Sequence, residues 1–367
     1  MSKVYDVSSD KYEVAKKAYV VEGGKYVKLP KAYVVEGGKY VKLWSGSGLF
    51  SAPSYTSSIL LTSEDGKAWT EHTNSEWGVV STSGDCSFAV GNGVFVLLTY
   101  GGNVRYSEDG INWTTGTKLS STSDGSVNLS FCNNRFVALH RSRVYTSTDG
   151  KTWTKVGDIS GWYTDATSVM LSNIVYGKYN NSYCYMVGTS NPDNNTTGYG
   201  QCLLKSTDLL NWTLVYDYRN YNAERYGQHL CNIGDTVYWS LYHQGNGTLT
   251  VSEVSKTSAS ITQVARYTIN APYAIGISGV CNPSTKQIAY TWSVYGNSYK
   301  SYIDLEEKAF HTPSESPNWC CGEMIFRQYL NQASGVYTMY YADNGDFSNR
   351  VYTQFSTRRV VGICYKE

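Results

Sequence analysis

The 367-residue sequence is short of the features that mark several protein classes. It has only 7 prolines and 5 methionines, and its 31 Lys and Arg nearly balance its 30 Asp and Glu. No run of 18 apolar residues occurs, so no membrane insertion is expected. Without a basic stripe, no nucleic-acid partner is expected either. The polar segment 1–17 lacks the apolar stretch of a signal peptide, which predicts synthesis in the cytoplasm without secretion.

Signatures of cofactor and metal chemistry are also missing. No phosphate-binding or dinucleotide-binding glycine motif and no nucleophile elbow are present. The five histidines are scattered, so no metal and no cofactor are expected. The nine cysteines are odd in number, and several lie in apolar contexts near the start of a repeat. The cysteines in these apolar contexts are Cys86, Cys132, Cys231 and Cys281. We predict that they are small buried side chains in a reduced protein.

What the sequence has in quantity is a vocabulary of strands and turns, including 34 tyrosines. One pattern occurs three times, as LTSEDGKAWT, RYSEDGINWT and YTSTDGKTWT, and a weaker fourth copy reads LKSTDLLNWT. The copies lie 44, 40 and 59 residues apart. A period of about 40–50 residues with strand-like content predicts the blades of a β-propeller.

Each copy is predicted to form the turn between two outer strands of a blade. The Ser and Asp side chains can bond amides of the turn, Gly accepts a positive φ, and Trp can pack between neighbouring blades. In the fourth copy Leu209 replaces Gly, so a different turn is expected there. The residues given this structural role are Ser63, Asp65, Gly66, Trp69, Ser107, Asp109, Gly110, Trp113, Ser147, Asp149, Gly150, Trp153, Ser206, Asp208 and Trp212.

The blade count follows from the strand pattern between and after these copies. Residues 86–119 divide into four strands, CSFAVG, VFVLLTY, NVRYSED and NWTTGTKL, with an Asn-Gly turn in the first hairpin. Three further outer hairpins are expected at 247–268, 299–312 and 350–365. The chain is therefore predicted to be all-β, with seven four-stranded antiparallel blades in 44–367 and six as the alternative. The first blade lacks an inner strand, which the C-terminal segment is expected to supply, or otherwise to latch the ring.

The N-terminal 43 residues carry a second duplication. KAYVVEGGKYVKL occurs at 17–29 and again at 31–43, and each copy alternates apolar and polar residues around EGG, which predicts a small hairpin. Two hairpins cannot form much of a core, so they should pack on each other or on a partner. Residues 1–43 are therefore predicted to be an attachment module, with a duplication in a loose tail as the alternative.

Both repeats resemble known families. The S-x-D-G-x-x-W pattern resembles the Asp-box (BNR) repeat of sialidase-like β-propellers, whose usual form has one more residue between Asp and Gly. The N-terminal duplication resembles N-terminal repeats of tail and virion-associated proteins of bacteriophages of Gram-positive bacteria. The second resemblance implies docking on a particle, with other virion proteins as partners and the virion as the location.

The Asp-box resemblance implies that a functional face lies opposite the boxes. Sialidases of this fold use an arginine triad, a Tyr–Glu pair and an Asp. Segment 44–62 has no Arg, and the later arginines do not follow the family spacing. These later residues are Arg105, Arg141, Arg143, Arg219 and Arg225. Recognition without catalysis is therefore favoured. Whether the chain is an enzyme stays open, since a carboxylate pair at hydrolase spacing is an alternative.

The connections on the expected functional face are rich in aromatic residues. Such a surface suits sugar stacking or protein contact, and the alternative is that the aromatics only cap the ring. The function expected is a phage tail or virion-associated protein that binds a bacterial surface glycan or protein; a homo-oligomer such as a trimer is compatible with it. The alternatives are a glycoside hydrolase acting on that glycan and a decoration protein without a ligand. The candidate ligand-binding residues are Trp77, Tyr100, Arg141, Trp162, Tyr163, Tyr221, Arg225, Tyr226, His243 and Trp319.

Overall fold

The computed structural model of the chain is all-β. No helix among the residues it describes is long and apolar enough to cross a membrane. The described residues are 19–22, 25–28, 31–36, 39–45, 48–54, 59–73, 86–121, 127–140, 143–158, 174–177, 182–190, 199–217, 226–243, 247–255, 257–268, 275–282, 285–294, 297–311, 318–321, 324–331, 334, 336–342, 353–356, 360 and 363–366.

The two copies of the N-terminal duplication each form a two-stranded antiparallel hairpin, as predicted. Val20 lies opposite Val27 in the first, and Val34 lies opposite Val41 in the second, so the two copies share one register. The boundary between module and propeller at residue 43 stays a prediction. The strands are β1 (Tyr19–Glu22), β2 (Lys25–Lys28), β3 (Lys31–Glu36) and β4 (Lys39–Ser45).

Six four-stranded antiparallel sheets are each built from consecutive strands. Blade 2 consists of β8 (Cys86–Gly91), β9 (Val94–Thr99), β10 (Asn103–Ser107) and β11 (Thr114–Thr115). Blade 3 consists of β12 (Val127–Cys132), β13 (Arg135–His140), β14 (Arg143–Ser147) and β15 (Thr154–Asp158). Blade 4 consists of β16 (Val175–Gly177), β17 (Ser182–Ser190), β18 (Tyr199–Ser206) and β19 (Thr213–Asp217). Blade 5 consists of β20 (Tyr226–Ile233), β21 (Thr236–His243), β22 (Thr248–Val254) and β23 (Ile261–Thr268). Blade 6 consists of β24 (Ile275–Asn282), β25 (Gln287–Val294), β26 (Asn297–Asp304) and β27 (Ala309–His311). Blade 7 consists of β28 (Trp319–Cys321), β29 (Met324–Asn331), β30 (Val336–Ala342) and β31 (Thr353–Ser356). A 3-10 turn, Tyr100–Gly102, joins β9 to β10.

A seventh four-stranded sheet, blade 1, joins the two ends of the propeller. Its inner strand comes from the C-terminal segment, where Tyr365 pairs with Phe50, which confirms both the seven blades and the predicted completion of the first. Pairing with β32 covers the edge of β5, which would otherwise be unpaired. The strands, in sheet order, are β32 (Cys364–Lys366), β5 (Leu49–Pro53), β6 (Ile59–Ser63) and β7 (Thr70–Thr73).

Two of the three later outer hairpins are confirmed, by the pairing of β22 with β23 and of β26 with β27. The third, expected at 350–365, is wrong. Its first part, β31, pairs with β30 as the outer strand of blade 7, and its last part, β32, pairs with β5 in blade 1. The segment does not fold back on itself because its two parts complete different blades.

The hydrophobic core lies between neighbouring sheets. All six residues of β9 are buried, since blade 1 covers one face of this strand and blade 3 the other. For example, Phe95 packs with Leu60 of blade 1, while Val96 packs with Phe136 of blade 3. A continuous apolar run is therefore stable here, as in other sheets that are covered on both faces.

The repeated motif forms the turn between the third and fourth strands, as predicted. In blade 3 the amide of Gly150 donates to Ser147 Oγ (2.8 Å), and Ser147 Oγ donates to Asp149 Oδ1 (2.9 Å). The next two amides, of Lys151 and Thr152, also donate to Asp149 Oδ1, each at 2.8 Å. The same Ser and Asp bonds recur in blades 1, 2 and 4.

The motif tryptophans pack between blades. The ring of Trp69 lies 5.8 Å from that of Phe326 in blade 7, and Trp113 belongs to the cluster that joins blades 1 and 2. Each indole N–H donates to the carbonyl oxygen three residues earlier, so its polar atom is satisfied within the turn.

The expectation of a different turn at Leu209 is wrong. Leu209 has φ +65°, close to the +71° of Gly150, and its amide donates to Ser206 Oγ at 2.9 Å as in the other copies. Its side chain is only 1% exposed and packs with Val137 and Leu139 of blade 3. Burial of that side chain offsets the strain of a left-handed conformation, so the turn is kept without glycine.

Candidate functional site

Strand direction divides the ends of the ring into two faces. In every blade the turns between strands one and two, and between strands three and four, lie at one end because the strands are antiparallel. We call this end, which carries the motif turns at 63–69, 107–113, 147–153 and 206–212, the box face. The connections between strands two and three, and between blades, lie at the other end, which we call the connection face.

Four of the ten candidate ligand-binding residues lie on elements that the structure describes, and all four are at the connection face. Tyr100 follows β9, Tyr226 begins β20, His243 ends β21 and Trp319 begins β28. Tyr226 and His243 are direct partners across the sheet of blade 5, although they are 17 residues apart in sequence. Their role in binding stays a prediction. The other six lie outside the described residues: Trp77, Arg141, Trp162, Tyr163, Tyr221 and Arg225.

The backbone at Tyr100 is held by a tight turn. Gly101 and Gly102 have φ values of +76° and +78°, a conformation that side chains disfavour. The Asn103 side-chain amide donates to the carbonyl oxygen of Tyr100 at 2.9 Å, and the Leu119 amide donates to the carbonyl oxygen of Gly102 at 2.8 Å. Tyr100, which is partly exposed, is therefore fixed against the connection that leads to blade 3.

His140, the last residue of β13, is fully buried beside this turn. A Cβ on Gly102 would lie 3.5 Å from its ring, so the histidine fills the space beside the Tyr100 turn. It therefore packs against that turn from the interior of the blade.

Sequence reasoning missed a polar contact beside this turn. Arg143, the first residue of β14, donates from Nη1 to Ser120 Oγ at 2.8 Å, and this bond joins the connection after blade 2 to blade 3. Arg143 is partly exposed at the connection face. The sequence feature that could have indicated this contact is the position of Arg143 at the start of the third strand, directly after the loop that follows His140. A guanidinium fixed there can donate to a hydroxyl or an anionic group.

Pairs of Lys with Glu lie in turns of the box face. Lys151 pairs with Glu108 of the neighbouring blade at 2.5 Å, and Lys286 pairs with Glu306 at 2.5 Å. The bond from Lys151 lowers the pKa of the Glu108 carboxyl. Among the described residues, no group of three or more His, Cys, Asp or Glu side chains is arranged to hold a metal ion.

Comparison with known proteins identifies the architecture. No family model matches the chain, and no curated protein matches its sequence. It is similar to a solved structure of a protein from Lactobacillus plantarum, at 10% identity and a TM-score of 0.56, over 87% of this chain and 99% of that one. It is also similar to a periplasmic gluconolactonase from Pseudomonas aeruginosa, at 10% identity and a TM-score of 0.55, over 87% and 99%.

A third similar structure is a puromycin hydrolase, at 10% identity and a TM-score of 0.52, over 85% of this chain and 53% of that one. At such identities these likenesses establish the β-propeller fold alone.

Proposed function

We propose that the protein is a virion or phage-tail-associated binding protein. The connection face binds a bacterial surface glycan or surface protein, and the N-terminal hairpins attach the chain to the particle. The observation that carries this proposal is the strand direction. It places the described members of the predicted aromatic set at one end of the ring, opposite all four motif turns.

The motif turns themselves favour the connection face as the binding surface. Each motif Ser and Asp side chain bonds amides of its own turn, and each motif Trp is packed between blades. These polar and aromatic groups are therefore engaged in structure. This use of the motif supports the resemblance to Asp-box propellers, where the functional face is the opposite one.

The chemistry of the connection face suits a carbohydrate. Aromatic rings such as that of the partly exposed Tyr100 stack on the apolar faces of sugars, and fixed polar donors such as the Arg143 guanidinium bond their hydroxyl groups. A homo-oligomer would present several such faces and raise the overall affinity for a repetitive glycan.

The hairpins suit attachment to a larger structure. An isolated two-stranded hairpin is marginally stable in water. Each N-terminal copy is a separate two-stranded sheet, and strand addition to a partner is a common way to satisfy such an edge. Other virion proteins are the partners proposed for them.

The binding proposal is tested with the full chain on an array of bacterial cell-wall and capsule glycans, followed by mass spectrometry of the sugars. We expect binding with intact sugars and a loss of at least about tenfold in affinity for Trp319→Ala, equivalent to about 1.4 kcal/mol. The control is Leu210→Ala, which removes an exposed apolar side chain from the box face and should bind normally.

The other outcomes separate the alternatives. Equal weakening by both variants would place the ligand elsewhere. Cleaved sugars would identify a glycoside hydrolase. No binding to glycans or to whole bacteria would favour a decoration protein.

A further inference from the structure

Two cysteines face each other across the junction of blades 5 and 6. Cys231 lies on β20 and Cys281 on β24, the inner strands of these blades, which lie against each other. Cys281 packs against the hydrophobic cluster that contains Cys231. The Cys281 thiol also donates to the carbonyl oxygen of Asn232, the residue after Cys231, at 3.8 Å. None of the six cysteines whose side chains are described forms a disulfide.

The two thiols differ in access and in acidity. Cys231 is 4% exposed, whereas Cys281 is partly exposed. The hydrogen bond from Cys231 lowers the pKa of Cys281 even though burial opposes this, and the same bond raises the pKa of Cys231. Burial instead raises the pKa of each of three other inner-strand thiols to about 12: Cys132, Cys320 and Cys364. A partly exposed cysteine with a favoured thiolate beside a buried thiol is an arrangement that suits an attacking and a resolving cysteine.

We infer that Cys231 and Cys281 are a modification site, a thiol pair that low-molecular-weight disulfides such as glutathione disulfide oxidise to a bond between blades 5 and 6. The Cys281 thiolate attacks one glutathione sulfur, forms a mixed disulfide and releases the first glutathione. The Cys231 thiolate then attacks the Cys281 sulfur, forms the protein disulfide and releases the second. Two protein thiols are oxidised, one glutathione disulfide is reduced, and the two thiol protons end on the two glutathione molecules.

The bond would join two sheets that otherwise pack through side chains at this junction. It closes a loop between residues 50 apart in sequence, which constrains the unfolded chain and raises the temperature of unfolding. Cys132 and Cys364 likewise donate to carbonyl oxygens of the neighbouring blades, at 3.9 and 3.5 Å, and burial raises the pKa of both thiols.

The test incubates the full chain with glutathione disulfide, blocks remaining thiols, digests without reduction and identifies linked peptides by mass spectrometry. We expect a Cys231–Cys281 cross-link and an intact mass lower by two hydrogen atoms. Cys231→Ala should retain one glutathione on Cys281, and Cys281→Ala should leave Cys231 unmodified. The control variants Cys132→Ala and Cys364→Ala should form the cross-link normally. The inference is overturned if Cys231 and Cys281 are both recovered as blocked thiols. It is also overturned if Cys281 of the Cys231→Ala variant carries no glutathione.

A measurement on the unmodified sequence keeps the test independent of variant folding. Under native conditions, iodoacetamide should label Cys281 at least about tenfold faster than Cys132 or Cys364, because the thiolate is the reactive form. Labelling of Cys281 at the same rate as the other two, or more slowly, would also overturn the inference.

Discussion

The ring of Tyr365 lies 4.5 Å from the ring of Phe50, where the end of the chain pairs with the first propeller strand. The residues on either side reach blade 2. The Cys364 thiol donates to the carbonyl oxygen of Phe88 at 3.5 Å, and Lys366 Nζ donates to that of Gly93 at 3.2 Å. A three-residue strand therefore completes one blade and contacts the next, so closure of the ring depends on very few side chains.

Tyr365→Ala should destabilise the propeller by about 2–4 kcal/mol, since it removes a partly buried ring from the junction of blades 7 and 1. The measurement is the free energy of unfolding in urea. Val336→Ala, which trims an exposed side chain on blade 7, is the control and should change that energy by less than about 0.5 kcal/mol. A Tyr365→Ala protein as stable as the control would show that the C-terminal strand does not hold the ring closed.

Gly150→Ala should be more destabilising than Gly93→Ala. Both glycines have positive φ, so each alanine costs about 1 kcal/mol or more in backbone strain. At Gly150 the new Cβ would also lie 2.5 Å from Val96 Cγ2, whereas nothing lies within 4 Å at Gly93. Thermal unfolding should therefore separate the two variants by a further 1–3 kcal/mol, roughly the penalty for overpacking. Equal losses would contradict close contact between blades 2 and 3 at this turn.

Leu209→Gly should destabilise the protein although it relieves a positive φ. Strain relief is worth about 1 kcal/mol, while deletion of a buried Leu side chain costs about 3–5 kcal/mol. The expected net loss is about 2–4 kcal/mol, measured by urea unfolding, with Leu210→Ala as the exposed neighbouring control. A stabilised Leu209→Gly protein would mean that the side chain contributes little to packing against blade 3.

Acid should weaken the motif turns in a defined pH range. Hydrogen bonds from the Thr152 and Lys151 amides lower the pKa of Asp149 to about 2. The Asn112 and Ile111 amides lower that of Asp109 to about 2 against the effect of burial.

An unfolded Asp titrates near pH ~3.9, so these carboxylates stabilise the fold fully above that pH. Their contribution should be lost as the pH falls from about 4 to 2. Urea midpoints measured across this range should fall less steeply for Asp149→Asn than for the unmodified chain. Parallel curves would exclude Asp149 as a source of the acid sensitivity.

Removal of residues 1–45 should abolish incorporation into particles while glycan binding by the propeller is kept. The reason is that the two hairpins form sheets separate from the seven blades. Incorporation is measured by quantifying the protein in purified virions, and folding of the shortened chain is checked by circular dichroism. Incorporation at the level of the full chain would contradict docking through the hairpins.

The sequence by itself determined the features that depend on local interactions. In blade 3, for example, the Ser, Asp, Gly and Trp of the motif bond one another within seven residues, so the corner could be predicted from spacing alone. The strands of blade 2 followed from apolar runs around an Asn-Gly turn, and both N-terminal hairpins followed from alternation around EGG.

The tertiary structure decided what depends on partners distant in the chain. Leu209 keeps a glycine conformation because blade 3 buries its side chain, and the last strand leaves its sequence neighbours because blade 1 has a vacant inner position. The pairing of Tyr226 with His243 depends on the register of one hairpin, whereas the contact of Cys231 with Cys281 depends on the packing of blades 5 and 6. No local pattern encodes the contacts between blades, since they form only when the sheets are packed into a ring.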